Sequence, residues 1–231
     1  MPLFFDPMYF LFVVPGLLLA GFASLKTKST FNKYSHVRSA RGLTGAEAAQ
    51  RLLAGAGVSN VRIERVDGFL SDHYDPTSRT LRLSSKVYGE TSLSAIGVAC
   101  HEAGHALQHA QAYMWLNFRS AMVPAVNVSS SFSYIVLIGG FMLGMSNLVY
   151  LGIILFSVAV LFSIVTLPVE WDASNRAKML MVQCGVVERS EAAGAGAVLN
   201  AAFLTYLAAA VSSALTLLYY LWRAGIIGGR R

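Results

Sequence analysis

The fifty residues Ser120–Val169, SAMVPAVNVSSSFSYIVLIGGFMLGMSNLVYLGIILFSVAVLFSIVTLPV, hold no Asp, Glu, Lys, Arg or His. One membrane-spanning helix needs about 20 apolar residues, so this tract is too long for one span and suits two. Ser146-Asn147 is its most polar interior point and a reasonable turn. The tract therefore reads as a span over about 129–145 and another over about 148–168. Chemically active residue types flank it: His101-Glu102-Ala103-Gly104-His105 before, and Glu170 directly after.

Two further apolar segments lie outward from it. Residues 7–25 are long enough to cross a bilayer, with Pro15 inside. Asp6, with no Lys or Arg, precedes that segment, unlike the basic start of a secretory signal, so a retained anchor is expected. The fourth segment, Ala192–Trp222, is also free of charge. Its span is placed at 199–222, with Tyr219, Tyr220 and Trp222 as interfacial anchors. A chain that is 55% hydrophobic and 13% charged is too apolar for an ordinary soluble domain. The 231 residues are thus expected to form a single membrane domain, 1–231.

Lys and Arg number 18 against 12 Asp and Glu. The excess clusters beside an apolar segment, at Lys26, Lys28, Lys33, Arg38 and Arg41. That placement points to the lipid bilayer as partner and away from nucleic acid. By the positive-inside tendency the same side is cytoplasmic, and Glu170 returns to it with Arg176 and Lys178. Arg223, Arg230 and Arg231 run against that assignment. Cys100 and Cys184 lack paired metal-ligand spacing and read as reduced thiols.

About a hundred mostly polar residues separate the first two spans. Thr44-Gly45-Ala46-Glu47 is a capping box, predicting a short helix to about Ala54 that Gly55 and Gly57 end. Val61, Ile63 and Val66 suggest one strand, and Leu81 and Leu83 a second. Between them, His73 to Ser78 reads as a turn opened by Asp75-Pro76. Such a strand serves either as a stabilising hairpin or as an edge to which extended peptide adds. A longer helix from Thr91 or Ser92 to about Ala112 carries Leu93, Ile96, Val98 and Leu107 on the helical period.

On that helix His101 and His105, four apart, can reach one metal ion, and Glu102 projects beside them. This is the pattern of a hydrolytic zinc site: two imidazole ligands, an open position, and a carboxylate as base for an activated water. A third ligand is needed. The extended form HExxHxxGxxH would place Gly at 107 and His at 111, where Leu107 and Gln111 stand, so it is excluded. Glu170 fits best by order in the chain, while His109, His73, His36, Asp172 and Asn175 remain alternatives. Asp172 suits orienting a ligating histidine, and His109 or His73 a supporting or substrate contact.

Three runs carry a more specific likeness: Leu70 to Pro76, Ala95 to His109, and Leu167 to Ser174. In order and spacing the chain resembles, from about Leu43 to Tyr220, the bacterial YugP-like membrane zinc metallopeptidases. The resemblance implies a gluzincin-type site with one zinc per chain: His101, His105 and Glu170 as ligands and Glu102 as general base. In the broader class an acidic residue follows the ligating Glu by four, and here that position is Ser174.

The expected fold is mainly α, a membrane bundle of about four transmembrane helices with a zincin-like catalytic helix and a small β-hairpin or sheet. Its catalytic part would be residues 43–119 plus 169–190. The expected function is endopeptidase cleavage of peptides or membrane proteins at the cytoplasmic membrane surface of a bacterial cell. A non-catalytic zinc-containing scaffold or chaperone is the alternative; Glu102, not needed to bind metal, argues against it. Metal transport would place His and acidic residues inside the spans, which contain none.

Overall fold

The computed structural model describes residues 6–68 and 71–228. Leu70, Arg230 and Arg231, used in the sequence reading, lie outside the described residues. Among the described residues the elements run α1 (Pro7–Ser35), α2 (Gly45–Gly55), β1 (Arg62–Val66), β2 (His73–Asp75), β3 (Thr80–Ser84), α3 (Ser85–Gly89), α4 (Leu93–Ala110), α5 (Met114–Leu143), α6 (Ser146–Gln183) and α7 (Ala192–Arg223). Helices α1, α5, α6 and α7 are long and apolar enough to cross a membrane. The protein is a mainly α membrane bundle with a small sheet, as expected. Each long helix exceeds its expected span, because the hydrogen-bonded ladder need not stop where the apolar stretch does.

The chain divides into two compact units. The first comprises residues 1–23, 118–167 and 205–231. Its buried cluster joins Leu137, Val149, Ile153, Phe156, Val160, Tyr219 and Tyr220, while Leu17, Leu18, Ile135 and Ile154 are exposed. The turn between α5 and α6 falls at Gly144-Met145, just before the expected Ser146-Asn147. Gly144 adopts φ 64°, a left-handed value that glycine tolerates, and the Met145 N–H donates to the Gly140 carbonyl at 2.9 Å. Gly140 itself serves packing: a Cβ there would lie 2.7 Å from the Val149 nitrogen. Asp6 Oδ2 accepts from the Tyr219 hydroxyl at 3.1 Å and from Arg223 Nη1 at 2.5 Å, so Arg223 is neutralised within this unit.

The second unit comprises residues 24–117 and 168–204. Leu52, Leu81, Leu83, Ile96, Cys100, Leu107, Met181 and Leu199 belong to its core. The capping box forms: Thr44 Oγ1 accepts from the Glu47 N–H at 3.3 Å, and the Glu47 carboxylate accepts from the Thr44 N–H at 2.8 Å. Gly57 follows α2 at φ 75°.

The sheet corrects the expected strand arrangement. Its order is β1-β3-β2, with β1 parallel to β3 and Ile63 opposite Leu81. The segment expected as a turn supplies β2, which pairs antiparallel with β3, Tyr74 opposite Leu81. The turn comes later, where Asp75 accepts from the Thr77 N–H at 2.9 Å and from the Ser78 hydroxyl at 2.6 Å. Alternation of apolar residues identifies strands but carries no information on which neighbour each takes. Central β3 is the most buried strand, and β1 and β2 are edges.

Helix α4 begins at the Ser92 cap, whose hydroxyl accepts from the Ala95 N–H at 3.3 Å. Helix α6 passes through Pro168 without ending, so the residues after the apolar tract continue the same helix.

Candidate metal centre

Two helices make the site, and a glycine lets them meet. Gly104 of α4 faces the backbone of α6, where an added Cβ would lie 2.6 Å from the Ala173 carbonyl oxygen. Ala103, Ala173 and Ala177 are also fully buried, so only small side chains separate the helices. That approach brings His101 and His105 of α4 onto Glu170 of α6.

The three donors converge closely. His101 Nε2 lies 3.2 Å and His105 Nε2 3.6 Å from Glu170 Oε2, and all three ligand atoms fall within 4.8 Å of one another. Zinc bound tetrahedrally at about 2.0–2.2 Å separates its ligands by about 3.4 Å. The two edges to Glu170 bracket that value, and the widest separation within the group, up to 4.8 Å, would have to close by side-chain movement of roughly an ångström to hold the ion. Glu170 is 2% exposed, and the two histidines 14% and 11%. Burial pushes the Glu170 carboxyl up, but hydrogen bonds and charge from His101 and His105 outweigh it and hold the group well below the usual range. Burial likewise lowers His105, yet Glu170, with Glu102 and Gln108, raises it above its ordinary value. The cluster attracts positive charge, whether protons or a metal cation.

The imidazoles are held from behind. Gln108, fully buried, donates Nε2 to the Val169 carbonyl and to Asp172 Oδ2, each at 2.8 Å. With its nitrogen given to two acceptors, its Oε1 faces His105 Nδ1 at 3.0 Å. A carbonyl oxygen only accepts, so His105 carries a proton on Nδ1, which leaves Nε2 to donate to Glu170 when the ring is protonated and to offer its lone pair to a metal ion when the ring is neutral. Asp172 in turn accepts from Arg176 Nε at 2.5 Å, and Arg176 Nη1 donates to Gln111 Oε1 near the end of α4. On the other ring, Ser174 Oγ lies 3.1 Å from His101 Nδ1.

Other residues singled out in the sequence are placed differently. Asp172 reaches His105 only through Gln108. His109 stands outside the donor cluster, its Nδ1 2.8 Å from the Tyr74 hydroxyl. His73 sits on β2 with Nδ1 2.7 Å from the Ser71 carbonyl. Glu102 is half-buried and has no hydrogen-bond or ion-pair partner among the described residues. Gln108, Ser174 and Arg176 were not read as site residues. For Gln108 the available signal was its position, three after His105 and seven after His101, where a polar residue interrupts a small and apolar helix face.

The donors and their buried supports define a group that could hold a metal ion, set in a protein with four helices long and apolar enough to cross a membrane. A family model described as "Putative neutral zinc metallopeptidase" matches residues 9–225, and the chain belongs to this family. It is 49% identical over 214 residues to the "Putative membrane protease YugP" of Bacillus subtilis (strain 168), covering 92% of this chain and 95% of that protein. No solved structure matches the chain.

Proposed function

We propose that the protein is a membrane-bound zinc-dependent endopeptidase, with His101, His105 and Glu170 holding one zinc ion and Glu102 as general base. The observation that carries this reading is the convergence of two imidazole nitrogens on one carboxylate oxygen at 3.2 and 3.6 Å, beside Glu102, which makes no hydrogen bond or ion pair among the described residues. Zinc held there supplies a Lewis acid that polarises water and the substrate carbonyl.

The remaining steps belong to the chain. Glu102 takes the proton of the attacking water onto its carboxylate and returns it to the departing amine. Gln108 keeps the His105 proton on Nδ1, away from the metal-facing nitrogen, and Ser174 steadies the His101 ring. Burial of Glu170 excludes water from its side of the site and strengthens each charge interaction there.

Substrate is a peptide or membrane protein meeting the site at the cytoplasmic membrane face, a side supported by Lys26, Lys28 and Lys33 after the first apolar segment. Labelling of a cysteine introduced at Lys33 or at Arg176 by an impermeant reagent should require membrane permeabilisation for both. Labelling in intact cells would reverse the orientation.

The decisive test is Glu102→Gln. Gln keeps shape but cannot accept the proton, so the variant should retain zinc and membrane insertion while peptide hydrolysis drops by about 10²–10⁴. Wild-type cleavage rates with normal zinc content would favour the non-catalytic scaffold instead. Chelation should abolish hydrolysis, and added zinc restore it.

A further inference from the structure

Within the second unit, α1, α6 and α7 change from apolar to polar at one level, and measured contacts tie the changes together. On α1 the change falls between Leu25, 71% exposed, and Lys26. The Thr27 hydroxyl beside it donates to the Ala201 carbonyl of α7 at 2.7 Å. On α7 the long apolar run begins at that point, directly after Asn200. On α6 the charge-free tract ends at Val169, just before Glu170 and Trp171. The Trp171 ring meets the Phe203 ring of α7 at 5.0 Å. Lys178 Nζ stands 5.2 Å over the Trp171 ring and donates to Asn200 Oδ1 at 3.0 Å.

Such a level marks the border between hydrocarbon and lipid headgroups. Tryptophan, here 50% exposed, concentrates at that border, and lysine lays its stem on apolar surface with the ammonium toward water. Lys26 and Lys28 add positive charge on α1, with no Asp or Glu between Asp6 and Glu47 to offset it locally in the chain. Glu170 follows Val169 by one residue, about 1.5 Å of helix. A helical Cβ tilts toward the N-terminal end, which on α6 is the apolar end. The oxygen that meets His101 and His105 therefore lies at the border itself. The site is not sealed: the two histidines keep 14% and 11% exposure, and Glu102 beside them is half-buried.

The headgroup region is about 5–8 Å deep on each side of the hydrocarbon. An extended chain, at about 3.3 Å per residue, crosses it in roughly two residues. We propose that the substrates are membrane-anchored chains, cut within about two to four residues of the end of a spanning segment, because the metal centre lies in the headgroup layer. The inference rests on the peptidase reading above and names a substrate class that reading leaves open.

The test co-reconstitutes the full-length zinc-loaded protein with a single-span substrate in phosphatidylethanolamine–phosphatidylglycerol vesicles. After its apolar helix the substrate carries a neutral segment of mixed sequence, joined directly or through a Pro-rich spacer of about 20 residues that holds it roughly 60 Å away. In the direct form, mass spectrometry should place the cuts within about four residues of the helix end. The spacer should slow cleavage of the segment roughly tenfold or more. Cuts farther out, equal rates with the spacer, or faster cleavage of the same segment as a free peptide overturn the proposal. If none of the three is cut, the peptidase reading falls, and the depth of the site is decided without activity. In protein carrying Trp115→Phe and Trp222→Phe, Trp171 is the remaining tryptophan. Its fluorescence should be quenched most by lipid brominated next to the headgroup. Strongest quenching from the chain end, or none from any brominated lipid, overturns the headgroup placement.

Discussion

The seam between α5 and α6 in the first unit and the seam between α4 and α6 in the second use glycine in the same way and polar side chains in opposite ways. At the first seam Gly140 and Gly152 let α5 and α6 touch, and the Ser157 and Thr166 hydroxyls turn back on their own helix. Ser157 donates to the Ile153 carbonyl at 2.8 Å and Thr166 to the Phe162 carbonyl at 2.8 Å. In the second, Gly104 plays the packing part, but polar groups reach across. Gln108, Asp172, Arg176 and Ser174 join α4 to α6. In an apolar surrounding, self-satisfied polar groups avoid a desolvation penalty whatever the neighbour does. Crossing bonds fix one helix against the other to within tenths of an ångström, which a metal centre requires.

The sharpest way to test that contrast is to remove a crossing group. Glu170→Ala should abolish zinc retention by the purified protein, as measured by metal analysis. Gln108→Leu keeps similar volume but leaves the Val169 carbonyl, Asp172 and His105 Nδ1 without this partner, so zinc affinity should fall about 10- to 100-fold. Unchanged affinity would mean the imidazole needs no support from behind. Next comes packing. Gly104→Ala and Gly140→Ala each place a Cβ closer than 3.0 Å to backbone, and each should cost about 1–3 kcal/mol in stability. Only Gly104→Ala should also lower zinc affinity; an equal loss from Gly140→Ala would erase the distinction between the units.

The smallest effect is on pH. His105 is raised above 6.5, so its contribution to the stability of metal-free protein is complete below pH 6.5 and is lost as pH rises through its folded value. Glu170 is lowered from 4.5, so its contribution is present above pH 4.5 and lost as pH falls through its folded value. Chelated protein should thus melt highest between about pH 4.5 and 6.5, whereas zinc-loaded protein should hold its melting temperature above that window. Identical profiles with and without zinc would remove the link between this cluster and the metal.

What the sequence disclosed follows the reach of each signal. Charge-free runs and the Thr44 capping box are local, and the long helices and the start of α2 were legible from them. His101 and His105 share a helix face because of their spacing alone. Strand partnership is not local: β1 and β3 are readable as strands, but their parallel pairing and the insertion of β2 are decided by packing. Gly140 and Gly144, four apart in an apolar run, carry the spacing of a small-residue pair that allows close helix contact. Gly140 makes that contact, whereas Gly144 ends α5 at φ 64°, a distinction the spacing does not carry. Gln108 has meaning only once α6 supplies Val169 and Asp172 as its acceptors.

Continuity of the chain between the donors has a consequence for biosynthesis. His101 and Glu170 stand 69 positions apart, and the whole charge-free tract must be made before the second exists. A growing chain therefore exposes the HEAGH helix well before it can close a metal centre. Cutting power, on the proposed reading, arrives late in synthesis, after both apolar segments have left the ribosome. The order of its own residues thus delays assembly of the donor set until α6 has been made.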